Sequence, residues 1–331
     1  MRELQKGHID GVDFTRIMGA LGIVVFHFSC YCEPLHRWLY ETANCPYGQL
    51  WVALFFAASG ACVARSNTLS IWWAFYKKRW RGIFPLFFVA YGIVFALKLV
   101  LYGHWWAAIN PRTIPLTLLG IDSYFYYLQP NFSCVGEWFI GALLACYLLF
   151  PLLRQLLQRI PYTTAAILLA GCFVVPYWSW FDVEPWHNIW VCTTIFYAGM
   201  LLAQFPAVFT SKTAWAISAA LTAIMIFVPM PFKTYAPLGQ LIYPTISGLA
   251  CFVFVTQLGA YIERLDKIRT VMQYLGKLSY PVFLVQHAVI LAVLDKWTPT
   301  TVPGALGILC MNLFLTWLLA DAVLTLHKKL F

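Results

Sequence analysis

Arg16 and His27 stand eleven positions apart in the stretch RIMGALGIVVFHFSC, residues 16–30, and almost everything between them is apolar. On a helix, eleven residues rise about 16 Å and complete about three turns, so the two side chains lie on nearly the same face. An imidazole titrates near neutrality and can take a proton from a hydroxyl. A guanidinium close to it disfavours the imidazolium and so keeps that base neutral. A covalent acyl-histidine relay is equally open to such a residue. Asp13 lies three residues before Arg16, within reach of an ion pair. A plainer account also exists, in which Arg16 snorkels to lipid headgroups and His27 makes one interhelical hydrogen bond. Their common face favours a lined pathway.

A second candidate is the basic run KKRWR, residues 77–81, where Lys78, Arg79 and Arg81 could hold phosphate groups through charge-assisted bonds. Anchoring to anionic lipid would use the same residues. Glu137 opens an apolar run and can bind hydroxyls, or serve as an exposed first-turn acid favoured by the helix dipole. Asp321, in the last apolar run, calls for a cation on another helix. The ten cysteines show no paired metal spacing, Cys30 and Cys32 being too close for a usual zinc pair, so no metal is expected. Cys32, Cys45 and Cys134 fall on one side of the expected topology, where a disulfide stays open.

These residues must be positioned by elements that live in lipid. Of 331 residues, 61% are hydrophobic and 11% charged, against about a quarter charged in a globular chain. The mean hydropathy is +0.72. Apolar runs at 14–32, 48–65, 82–102, 134–153, 161–179, 187–205, 213–230, 239–259, 278–295 and 303–327 predict an all-α polytopic membrane protein of about ten helices in one bundle. Residues 1–331 read as a single transmembrane domain without a removable signal peptide. With both termini cytoplasmic, most of the 22 Lys and Arg lie on the inner side, so the net charge of +9 reflects topology and not a nucleic-acid partner. Residues 103–133 would reverse every later helix if they spanned. They are therefore expected as an outer-face interfacial or re-entrant segment.

The residues also carry a resemblance. GVDFTRIMGALGIVVFHF is similar to the first helix of the acyltransferase-3 family of integral membrane acyltransferases, with an Arg and a His separated by ten residues. LFFAASGACVARS resembles that family's second helix, and FYKKRWRGIFPLF the basic run and proline that open the third. EWFIGALLACYLLFPLL resembles its later Trp-Phe helix, and LGKLSYPVFLVQHAVI the penultimate one.

The resemblance implies transfer of an acyl group, often acetyl, from cytoplasmic acyl-CoA to a hydroxyl or amine of an extracytoplasmic glycan or lipid-linked sugar. Acyl-CoA is then the co-substrate, and the location is a cell membrane, expected to be a bacterial plasma membrane. His27 takes the place of the family's catalytic histidine and Arg16 that of its paired arginine, while Arg79 and Arg81 fall in the basic motif. One departure stands out. Where many relatives have a histidine in the penultimate helix, this chain has Gln286, with His287 one step on, about 100° around the helix. That leaves His287 between acceptor binding and a core hydrogen bond. Ten helices with buried ionisable groups also suit a transporter or flippase for a lipid-linked sugar, although no inverted repeat is seen. A non-catalytic member of the family is a third reading, against which the Arg16 and His27 pair argues.

Overall fold

The computed structural model describes residues 6–42, 47–66, 72–104, 106–107, 109–125, 128, 130–132, 134–174, 185–228, 241 and 243–331. These residues are helical and contain no strand. The helices are α1 (Val12–Tyr31), α2 (Glu33–Thr42), α3 (Tyr47–Ala64), α4 (Trp72–Tyr102), α5 (Ile114–Leu119), α6 (Glu137–Arg159), α7 (Pro161–Gly171), α8 (Ile189–Leu202), α9 (Lys212–Phe227), α10 (Tyr243–Ile262), α11 (Asp266–Leu294) and α12 (Val302–Leu330). Each expected apolar run holds one of them. Among the described residues six are long and apolar enough to cross a membrane: α1, α4, α6, α10, α11 and α12. α8 and α9, with 14 and 16 residues, fall short of about 30 Å of hydrocarbon as regular helices.

α4 begins ten residues before the expected span and runs for 31 residues, about 46 Å, so KKRWR lies within the helix and not ahead of it. Lys and Arg are good helix formers, which lets the helix continue through the basic run. α5 has six residues, far too few to cross.

The chain forms two compact units. The first holds residues 1–19, 43–76 and 142–276. Its α3 and α8 meet through glycines: a Cβ on Gly60 would strike the carbonyl of Phe196, and one on Gly199 the carbonyl of Ala57. Lipid tails give helices no hydrophobic reason to associate, so close approach of backbones over small residues supplies the packing. The start of α1 is held by the end of α10. Glu263 accepts from the Gly11 amide at 3.0 Å and from the Phe14 amide at 3.3 Å, two donors that the first turn leaves without intrahelical partners. The Thr15 and Thr256 hydroxyls bond at 2.9 Å beside them. Gly11 has φ +81 and faces Thr256 and Ala260 with no room for a side chain.

The second unit holds residues 20–42, 77–141 and 277–331. Its core gathers Phe28, Cys32 and Leu35 with Ile290 and Leu294 of α11 and Ala305 and Leu309 of α12. The opposite face of α12 exposes Phe314, Leu315, Trp317 and Leu318, an apolar surface suited to lipid rather than water. The described residues of 109–136 gather polar groups at their centre. Asp122 is fully buried, accepts from the Thr117 hydroxyl at 2.7 Å, and offers its backbone carbonyl to the Asn131 amide at 2.6 Å.

Candidate active site

In the second unit, α1 presents His27 to two consecutive residues of α11. The Gln286 side-chain amide lies 2.7 Å from Nδ1 of His27. The imidazole of His287 stacks on that of His27, with centroids 4.0 Å apart and planes tilted by 37°. Tyr31 meets His287 edge-on at 6.5 Å, and Phe26 flanks His27 at 5.2 Å. The position after the expected histidine therefore joins the site. Despite the 100° step between neighbours, both side chains meet the same imidazole.

The amide of Gln286 decides which nitrogen of His27 is basic. With Nε2 of Gln286 donating to Nδ1, a neutral imidazole carries its proton on Nε2. With the amide turned over, Oε1 accepts from Nδ1–H and the lone pair moves to Nε2 of the ring. Gln286 is fully buried, and its Oε1 has no other hydrogen-bond partner among the described residues. Lys98 lies in the same unit, its ammonium 3.9 Å from the Cys134 sulfur. Its position inside the apolar run IVFALKLVLY is the available signal.

Arg16, near the other end of α1, belongs to the first unit. Its NH1 pairs with Asp13 at 3.2 Å, as the spacing predicts, and its NH2 reaches the Cys62 sulfur at 3.8 Å. Nothing in the spacing points to Cys62. Lys78 and Arg81 are exposed on α4 and Arg79 is half-buried. Glu137 is not the exposed acid expected. It is fully buried, and its Oε1 accepts from the amides of Cys134 at 2.7 Å and Val135 at 3.2 Å. Gly136, at φ +78, lets the chain fold back so that the carboxylate caps its own approach to α6.

Asp321 is half-buried. Cys32 and Cys134 carry free thiols, and Cys45 lies outside the described residues. No group of three or more His, Cys, Asp or Glu side chains converges among the described residues. On α12, Asn312 is fully buried with both amide atoms lacking a hydrogen-bond partner among the described residues, and the Thr316 hydroxyl one turn on is in the same state.

Helices long and apolar enough to cross a membrane, with two histidines and a lysine on those of the second unit, define a membrane protein that carries ionisable groups on its spans. A comparison with family models identifies it further. The model of the acyltransferase-3 family, described as an acyltransferase domain, matches residues 9–321, and the chain belongs to that family. No curated protein and no solved structure matched the chain.

Proposed function

We propose that this chain moves an acyl group, acetyl in the first instance, from cytoplasmic acyl-CoA to a hydroxyl or amine of an extracytoplasmic glycan or lipid-linked sugar. The observation that carries the reading is the seating of His27 between Gln286 and His287, in a chain of an acyltransferase family. His27 takes the proton of the acceptor as it attacks the thioester carbonyl, and the coenzyme A thiolate leaves. Gln286 sets the tautomer, and Arg16 steadies the donor end of the same helix. Lys78, Arg79 and Arg81 hold phosphates of the donor.

The topology that serves this reaction has ten crossings in a cell membrane, both termini inside, and residues 103–133 outside, by the distribution of cations. Acyl transfer tests the function. Purified protein in liposomes, given acetyl-CoA and an envelope glycan fraction, should release free thiol in step with acetylated product. Thiol release and acetylation both absent with a complete set of envelope fractions would refute it. For the topology, Leu128→Cys, at an exposed position, should be labelled by an impermeant maleimide from outside and Lys267→Cys only after lysis. The opposite pattern would reverse the orientation.

A further inference from the structure

A cavity of about 1180 Å³ opens in the first unit among helix ends: the starts of α1, α9 and α11 and the ends of α3 and α10. It exceeds the ~300–1,000 Å³ usual for small-ligand sites. Arg65, Lys212, Arg264 and Arg269 line it, with Asp10, Asp13 and Glu263 as its acids. Two of those acids are engaged elsewhere: Glu263 caps α1, and Asp13 pairs with Arg16. Four cations thus face three acids, one of which is paired with Arg16, and Arg269 also pairs with Asp266 at 3.5 Å, so the lining keeps a small positive excess.

The cations are arranged rather than scattered. Arg269 is oriented by donation from its Nε to the Glu263 carbonyl at 3.1 Å. Arg264 lies over the Tyr261 ring at 5.1 Å. The Arg65 Nε is buried with no hydrogen-bond partner among the described residues. Tyr261 and Trp215 both line the cavity and keep much of their rings exposed, at 66% and 39%. Several oriented cations beside exposed aromatic rings, Tyr261 with Arg264 over one face and Trp215 beside Phe254, suit a ligand with phosphates at one end and a flat heterocycle to stack. The lining residue Asp13 connects this volume to Arg16.

We propose that this cavity takes the 3′-phosphoadenosine diphosphate end of the acyl donor, with Arg65, Lys212, Arg264 and Arg269 on its phosphates and the rings of Tyr261 and Trp215 against adenine. The proposal rests on the acyl-CoA-dependent reading above. Coenzyme A carries all its phosphates in that end, so this assignment competes with Lys78, Arg79 and Arg81 for the same groups, and the titration below decides between the two sets. Anionic lipid headgroups share the phosphate chemistry, so the experiment must tell the two sources apart.

The full chain is reconstituted in nanodiscs of phosphatidylcholine alone, and binding of coenzyme A, dephospho-coenzyme A and adenosine 3′,5′-bisphosphate is titrated. Arg264→Gln with Arg269→Gln should weaken coenzyme A and the bisphosphate by about 100-fold, roughly tenfold for each guanidinium removed. Dephospho-coenzyme A should be weakened less. Both positions are exposed, and the pair Arg264→Lys with Arg269→Lys, expected to keep most of the affinity, guards against a folding defect. Unchanged coenzyme A affinity in the Gln pair overturns the cavity while leaving the acyltransferase reading intact. The same result with lower retention of phosphatidylglycerol in mixed nanodiscs makes these cations lipid anchors. A wild type that binds none of the three probes overturns both proposals. Bisphosphate binding that the Gln pair abolishes, without acetyl transfer from acetyl-CoA, keeps the nucleotide site and removes the acyltransferase reading.

Discussion

His27 of α1 and His287 of α11 stack ring on ring at 4.0 Å, although the family pattern has its histidine one position earlier, at Gln286. Their separation in sequence is 260 positions, so only the packing of the first and penultimate long helices creates the pair. Two imidazoles in contact offer two candidates for one proton transfer, and substitution can tell them apart.

His27→Gln keeps a polar group and removes basicity. It should lower kcat about 100- to 10,000-fold with coenzyme A affinity unchanged. His287→Phe keeps a ring on His27 and should cost less than about tenfold. Single-turnover kinetics on detergent-stable protein would show it. A large loss in His287→Phe, with His27→Gln near native, would transfer the base to His287.

Gln286→Met removes the group that fixes the tautomer of His27 without a large change in volume. The expected result is a drop in kcat of about tenfold at constant KM. Nitrogen NMR of labelled histidine should show a single His27 tautomer in the wild type and a mixture in the variant. A single unchanged tautomer in Gln286→Met would mean that another group sets it.

Asp122 gives a pH dependence with a definite sign. Burial pushes its carboxyl up to about 7, the Thr117 hydroxyl opposes this by donating to it, and nearby Glu137 pushes it further up. A group whose folded pKa exceeds its unfolded value binds more protons when folded, so its stabilisation is full below the unfolded pKa and fades as pH rises through 7. Thermal unfolding of the wild type should therefore move to lower temperature between about pH 5 and pH 8. Asp122→Asn should flatten that part of the profile. An equal slope in both proteins would assign the dependence to other groups.

Asn312 carries a buried amide with no hydrogen-bond partner among the described residues, a cost of about 1–3 kcal/mol that a leucine would not incur. Asn312→Leu should raise the unfolding temperature. If acetyl transfer falls at the same time, the amide is retained for the acceptor. A lower unfolding temperature would show that the site is already satisfied.

The helices are largely legible in the sequence, because apolar runs report directly on lipid. Arg16 and Asp13 also meet as their spacing requires, since contacts within one helix depend only on its pitch. What spacing cannot give is reach. In sequence Gln286 looks like a loss relative to a histidine, yet its longer side chain arrives at the same ring. Glu137 looks exposed because the chain before it has the composition of a loop, whereas Gly136 turns that chain back over the carboxylate. The contact of Cys62 with Arg16 depends on the packing of α1 on α3 and leaves no local pattern.

The cap on α1 has a consequence for the order in which the molecule is made. α1 is the first of these helices to leave the ribosome, and the carboxylate that closes its first turn belongs to Glu263, 252 residues after Gly11. At about 5–20 residues per second, the interval is roughly 10 to 50 seconds. During that time the amides of Gly11 and Phe14 must be served by water or headgroups at the bilayer surface. The helix bearing Arg16 and His27 thus enters the membrane early and is locked late, once the end of α10 has been synthesised. Capping of that helix is in this way tied to synthesis of α10 and the residue that follows it.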